Sequence, residues 1–282
     1  PRFLEKMEEM NLPNTVFVDN TASAQIADFY EQILDASISI STPNKQAASA
    51  SFVHYLRLKN IAEKRGVQWR YETNVGAGLP IITTLNDLIT AGDRILKIEG
   101  VLSGTLSYIF NNFCGGGTES FSTIVKKAKE LGLTEPDPRD DLSGADVRRK
   151  LLILSREAGL ALESSDIPVE NILPEACVAA TDVPAFFSAL EQNDAHFEAL
   201  KAAAASRNAV LRFVAKMEDG RASIELKEYD TSHPFYNLSG SDNMVVFTTE
   251  RYKERPLVVR GPGAGAAVTA AGVFAEIVAI SR

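Results

Sequence analysis

Apolar positions in the first seventy residues follow two alternating periods. Residues 2–10 have the pattern of a helix end, and Thr15-Val16-Phe17-Val18 and Ala36-Ser37-Ile38-Ser39-Ile40 are short strand-like runs. These two runs stop at polar turns, Asp19-Asn20-Thr21 and Ser41-Thr42-Pro43-Asn44-Lys45. Residues 22–34 place apolar side chains at 26, 30 and 34, which predicts a helix, and a second helix is expected from about 46 to 64. Val67 to Tyr71 reads as a third strand. Strands alternating with amphipathic helices form parallel sheets with crossover helices. Ligands of such sheets lie beyond the carboxyl ends of the strands. The two polar turns fit that placement, although polar strand ends are common without a ligand.

The pattern continues with a glycine-containing loop, Glu72 to Pro80, and a helix to about Ala91. Taken locally, the loop is a turn that caps a helix with Pro80 in its first turn. A long strand with apolar Ile95, Leu96, Ile98 and Val101 follows, then helices over about 103–113 and 120–131 joined by Gly115-Gly116-Gly117. Two prolines make the first half of the stretch from Thr134 to Lys150 a stiff loop, read as non-helical, before a helix that follows Leu142 and runs to about Ala158. From Ile167 the character changes. Residues 184–206 read as one helix, and strands at about 209–217, 221–228, 243–250 and 256–260 suggest an antiparallel layer with a tight hairpin at Gly220. The last helix, Val273 to Ile280, is apolar on nearly every side and is expected to be buried.

Charge narrows the class. The net charge is −8 and no basic stripe occurs, which argues against nucleic acid as a partner. No uninterrupted apolar run is long enough for a membrane span, so no membrane partner is expected. Two cysteines, Cys114 and Cys177, are too few for a disulfide scaffold, and a reducing, cytoplasmic setting is the default expectation. Residue 1 is proline rather than methionine, which reads as a fragment. The three histidines, His54, His196 and His233, lack metal-ligand spacing and read as structural.

The candidate chemistry lies in one stretch. Glu135, Asp137, Asp140, Asp141 and Asp146 put five carboxylates within twelve residues, and Lys150 follows one helical turn later. Acids on a rigid loop beside a lysine can bind a small cationic substrate and move a proton. Spacing alone favours plainer readings. Ser143 and Asp146 match a capping box, and Asp146 with Lys150 is an i,i+4 pair worth a few tenths of a kcal/mol. Helical geometry adds that Val147, Leu151, Leu154 and Ala158 form a core stripe with Asp146 and Lys150 along its edge. A partly desolvated lysine near the positive end of a helix suits general acid–base work. An EF-hand is excluded because the alternating acids and central glycine are missing. A glycosidase-type carboxylate pair is allowed by spacing but nothing else supports it. Gly261-Pro262-Gly263-Ala264-Gly265 is only weakly dinucleotide-like, since no βαβ unit follows it.

Six blocks in order carry a resemblance that covers nearly the whole chain. They are Val18-Asp19-Asn20-Thr21, Thr42-Pro43-Asn44-Lys45, Thr73 through Pro80, Gly100 through Asn111, the acid stretch with Lys150, and Gly263-Ala264-Gly265 through Val273. Together they resemble homoserine dehydrogenases, most closely the dehydrogenase portion of bifunctional aspartokinase–homoserine dehydrogenases. The resemblance implies NAD(P)-dependent interconversion of L-aspartate 4-semialdehyde and L-homoserine in threonine and methionine biosynthesis. Lys150 resembles the family's proton donor, with Asp146 sharing the catalytic and substrate-binding site. Glu135 and Asp141 resemble substrate-site acids, and Thr21, Lys45 and Gly265 resemble cofactor contacts. The loop oxygens of Glu72, Val75, Ala77 and Leu79 resemble a site for Na+ or K+.

The fold class implied is α/β. A Rossmann-like domain truncated at its N-terminus, 1–70 with 262–282, would join an α+β substrate and dimerisation domain with a mixed sheet, 71–261. The resemblance further implies a strand and glycine-rich turn before Pro1, so the cofactor domain is expected to be incomplete and the isolated fragment to bind cofactor poorly. NADP(H) is favoured over NAD(H), and a homodimer and an aspartokinase domain in the same parent chain are expected. The residues themselves leave open a non-catalytic dimerisation or regulatory module, or another amino-acid dehydrogenase on the same framework.

Overall fold

The computed structural model describes residues 2–281. Three short strands, β1 (Val16–Val18), β2 (Ser39–Ser41) and β3 (Trp69–Arg70), pair in parallel in the order β1-β2-β3. All three residues of β2 are buried, as the middle strand of a covered parallel sheet requires. Ser51 caps the helix Phe52–Arg65 by accepting from His54 N–H, and Gly66 ends it in the left-handed conformation.

The second layer has five strands in the order β6-β5-β4-β7-β8. In chain order these are β4 (Ile95–Val101), β5 (Ala209–Glu218), β6 (Arg221–Asp230), β7 (Asp242–Thr249) and β8 (Leu257–Pro262). Their pairings are antiparallel, and an isolated parallel bridge between Val169 and Ile224 makes the layer mixed. β4 is the central strand and feeds directly into the helix Gly104–Cys114, which Ser103 caps. One hydrophobic core runs through both layers, from Tyr30, Ile40 and Trp69 to Ile98, Leu151 and Phe213. Among the described residues no helix is long and apolar enough to cross a membrane.

Several expected elements differ. The 22–34 helix divides into Ala24–Ala27 and Tyr30–Asp35, which lets Tyr30 turn fully inward. The second helix starts only at Phe52, because residues 46–50 form a separate turn whose Ser49 N–H and hydroxyl both donate to the Lys45 carbonyl. The long helix near 184–206 breaks at Asn193 into Val183–Gln192 and Asp194–Ala205. Residues after the second proline are helical after all. Asp137 accepts from Arg139 N–H and starts a short helix, Pro138–Leu142, with proline at the position where a missing N–H costs nothing. The last helix spans Ala266–Ile280, and only Val273, Glu276 and Ile280 are buried, while Phe274 is 67% exposed. Apolar composition made it look enclosed, but one face packs and the other does not.

Candidate active site

The helix Ala145–Glu157 begins after Gly144, whose φ is +70°. A side chain there would also meet Phe213 and Val169 at 2.9–3.0 Å, so glycine is required both for conformation and for space. Ser143 ends the preceding short helix instead of starting this one, and the expected Ser143–Asp146 capping box does not form. That leaves the Asp146 carboxylate free of capping duty. It sits between two ammonium groups, Lys150 Nζ at 2.9 Å and Lys45 Nζ at 3.4 Å. Burial works to raise its pKa, but Lys150 and Lys45 outweigh burial and hold it at about 2. Lys45 is itself pushed below the ordinary lysine range, first by burial and then by neighbouring Lys150, with Asp146 opposing.

Lys150 is nearly enclosed, its side chain 12% exposed, whereas Asp146 is 48% exposed. Lys150 Nζ also donates to the Leu102 carbonyl at 2.7 Å, at the end of the central strand β4. Three residues on, the Thr105 hydroxyl, whose one proton is shared between two acceptors, lies 2.5 Å from the Leu133 carbonyl and 3.0 Å from Asp141 Oδ1. Asp141 Oδ2 accepts from Glu135 N–H at 2.8 Å. Burial raises the Asp141 carboxyl, and the Glu135 N–H and Thr105 hydroxyl only partly offset it. The segment 102–105 therefore holds Lys150 with one end and Asp141 with the other. Glu135 is tied in through its backbone, and its exposed carboxylate makes no hydrogen bond or ion pair to this group among the described residues. Thr105 had no role in the sequence reading. Its position one residue inside a Ser103-capped helix that follows a strand was the available signal.

A groove opens between the β1 and β2 turns and the last helix. A cavity of about 480 Å3 is lined by Val18, Asn20, Pro43, Ala266, Thr269 and Phe274, among others. Thr21 and Gly265 are each next in sequence to a lining residue and Lys45 is two residues from Pro43, but none of the three candidate cofactor residues lines the groove itself. Thr21 N–H donates to Asp19, and Gly265 holds φ +120° at the start of the last helix. Asp19 is buried under a polar network that the sequence did not reveal. It accepts from Tyr30 at 2.5 Å and from Asn44 at 2.9 Å, which clamps the β1 and β2 turns together.

The Glu72–Leu79 loop packs against the last helix so closely that a Cβ on Gly78 would meet the Val268 carbonyl at 2.7 Å. Successive left-handed residues, Gly76 and Ala77, curl its backbone. Of the four candidate backbone oxygens, Glu72 O accepts from Val75 N–H and Leu79 O from Ile81 N–H. The Val75 and Ala77 carbonyls accept no hydrogen bond among the described residues. Two buried side-chain oxygens beside them, Thr73 Oγ1 and Asn74 Oδ1, are also unpaired. Unpaired buried oxygens are costly, and neutral oxygens suit a hard cation. The loop fits Na+ or K+ on those grounds. The Glu72 carboxylate does something else, accepting from Ile82 and Thr83 N–H to cap the helix Ile81–Thr90.

Comparison with known proteins gives the family. Residues 80–278 match the family described as homoserine dehydrogenase, and residues 1–72 match the homoserine dehydrogenase NAD-binding domain. A homoserine dehydrogenase of Schizosaccharomyces pombe is 49% identical over 271 residues, covering 94% of this chain and 72% of that protein. A chloroplastic bifunctional aspartokinase/homoserine dehydrogenase of Arabidopsis thaliana is 48% identical over 272 residues and 96% of this chain. The chain spans only about 30% of that longer relative. A mutant of a hyperthermophilic archaeal homoserine dehydrogenase in complex with NADPH superposes with a TM-score of 0.73 at 25% identity, covering 98% of this chain and 74% of that one. The chain belongs to the homoserine dehydrogenase family.

Proposed function

We propose that this chain carries the NAD(P)-dependent interconversion of L-homoserine and L-aspartate 4-semialdehyde. The observation that carries the reading is the Lys45–Asp146–Lys150 group at the end of β4. Reduction of an aldehyde leaves a developing alkoxide, and Lys150 Nζ, aimed by Leu102 O and Asp146, supplies its proton. In the reverse direction the same nitrogen takes the proton back. Asp146 and Glu135 hold the substrate ammonium, and Asp141 orders that side of the site through Glu135 N–H and Thr105. A bound nicotinamide would supply or accept the hydride, with Thr21, Lys45 and Gly265 as its contacts. NADP(H) is the proposed cofactor, supported by the NADPH complex of the archaeal relative. Val75 and Ala77 carbonyls, with Glu72 and Leu79 oxygens, are the proposed cation ligands, and Thr73 Oγ1 and Asn74 Oδ1 are available beside them.

The proposed division is 1–70 with 262–282 for cofactor and 71–261 for substrate and dimerisation. Its outermost residues, Pro1 and Arg282, lie outside the described residues. A homodimer through the antiparallel layer, an aspartokinase portion in the parent protein and a cytoplasmic, reducing setting complete the reading. The name of the Arabidopsis relative supports the aspartokinase portion, and the two free cysteines suit a reducing setting. The test is Lys150→Ala in the full-length parent, assayed for homoserine-dependent NADP+ reduction. Activity is expected to fall at least about 100-fold. Survival within a few-fold removes Lys150 as the proton carrier.

A further inference from the structure

Arg156 and Glu157 stand at the far end of the helix that carries Asp146 and Lys150. The Arg156 side chain has no exposure at all. Its guanidinium donates to the Ala48 carbonyl at 3.0 Å, twice to the Leu162 carbonyl at 3.0 and 3.1 Å, and to Glu163 Oε2 at 3.1 Å. It lies 5.6 Å from the Phe52 ring centre and 5.3 Å from that of Tyr55. Glu163 spans the same seam, since its other oxygen accepts from Phe52 N–H at 2.8 Å.

Ala48 belongs to the turn that begins at Lys45, closed by Ser49 N–H and hydroxyl on the Lys45 carbonyl at 2.9 and 2.8 Å. One helix thus grips one turn twice. Asp146 holds the Lys45 ammonium, and Arg156, ten residues and about 15 Å further along the helix axis, holds the Ala48 carbonyl. A planar guanidinium with five donors can serve three acceptors and stack on rings together, which an ammonium cannot. We propose that Arg156, held by Glu163, is a positioning residue that fixes the Lys45–Ala50 turn against this helix so that Lys45 and Lys150 share Asp146 in working register. The proposal rests on the dehydrogenase reading above.

The test compares Arg156→Lys and Glu163→Gln with the unaltered full-length parent in homoserine oxidation. For Arg156→Lys, kcat is expected to fall about 10- to 100-fold, because a displacement near 1 Å is enough for that. KM for homoserine and the NADPH dissociation constant should both rise, because Lys45 is also a proposed cofactor contact, and the primary isotope effect with homoserine deuterated at its hydroxyl-bearing carbon should increase. Glu163→Gln should shift the same quantities in the same direction by a smaller factor. It keeps the arginine and changes a half-exposed group, so it decides alone if Arg156→Lys does not fold. A lowered Tm with unchanged kcat per folded molecule and unchanged isotope effect would reduce Arg156 to a stability role and overturn the proposal. An unaltered parent that does not oxidise homoserine overturns the functional reading and this inference together. An active parent with unaffected variants overturns this inference alone.

Discussion

The two ends of the helix Ala145–Glu157 use charge in opposite ways. At its far end Glu157, its side chain 3% exposed, is saturated: Tyr55, Tyr71, Asn86 and Lys59 all donate to it. Burial works to raise its pKa, and the Lys59 ammonium and the two hydroxyls more than offset that. At its near end Lys150 uses two of its three protons, on Leu102 O and Asp146, and Asp146 meets only two ammonium groups with four lone-pair sites. The far end has its carboxylate engaged by four donors from three segments, which suits it to hold them together. The near end has donor and acceptor capacity to spare, half-exposed to whatever enters. On the proposed function, structural charge and working charge differ in satisfaction rather than in residue type.

That contrast can be broken from either side. Glu157→Leu should cost most, about 3–5 kcal/mol of unfolding free energy, because it strands a partly buried Lys59 and two buried hydroxyls. Urea denaturation measures it, and a cost below about 1 kcal/mol contradicts the saturated-end reading. Asp146→Asn should cost a smaller amount of stability, on the order of 1–2 kcal/mol, and lower kcat/KM for homoserine about 100- to 1000-fold, since two ammonium groups lose their shared anion. With Asp146 held at about 2, protonation of this group should cause no loss of activity between about pH 5 and 7.

Glu276 sharpens the comparison, being a buried carboxylate with only two donors, Ser41 Oγ at 2.5 Å and Glu72 N–H at 2.6 Å. Burial raises it to about 7 from 4.5, with those donors opposing. A raised acid binds protons on folding, so stability is greatest below about pH 4.5, falls through about pH 7 and is flat above. Glu276→Gln should flatten that slope, which is on the order of 2–3 kcal/mol in all. Identical pH dependence of Tm in variant and parent would refute it. The smallest effect belongs to Thr105→Val, about 1 kcal/mol of stability with a several-fold rise in KM for homoserine, because the Asp141 carboxylate keeps its Glu135 N–H but loses the hydroxyl. An unchanged KM would detach Asp141 from the substrate site.

Much of this was legible beforehand. The alternation of strands and helices gave the parallel layer, the turn-punctuated strands after residue 208 gave the antiparallel one, and the i,i+4 spacing anticipated the Asp146–Lys150 ion pair. Local pattern failed where a neighbour overrode it. Ser143-x-x-Asp146 reads as a capping box, yet Phe213 and Val169 press on Gly144 and its left-handed backbone separates the two helices there. The final helix is apolar by composition, and composition does not say which face is covered.

By itself the sequence determined what lies within one turn or one strand. The i,i+4 pair and the cap at Ser103 depend on nearest neighbours along the chain. Only the tertiary structure decided that Lys45 would join Asp146, that Arg156 would reach Ala48, and that Glu276 would close on Ser41 and Glu72. Those partners lie far apart in sequence, and no local periodicity encodes their distance. They are chosen by the packing of two layers on one core, where each buried charge must find donors or acceptors or be too costly to bury.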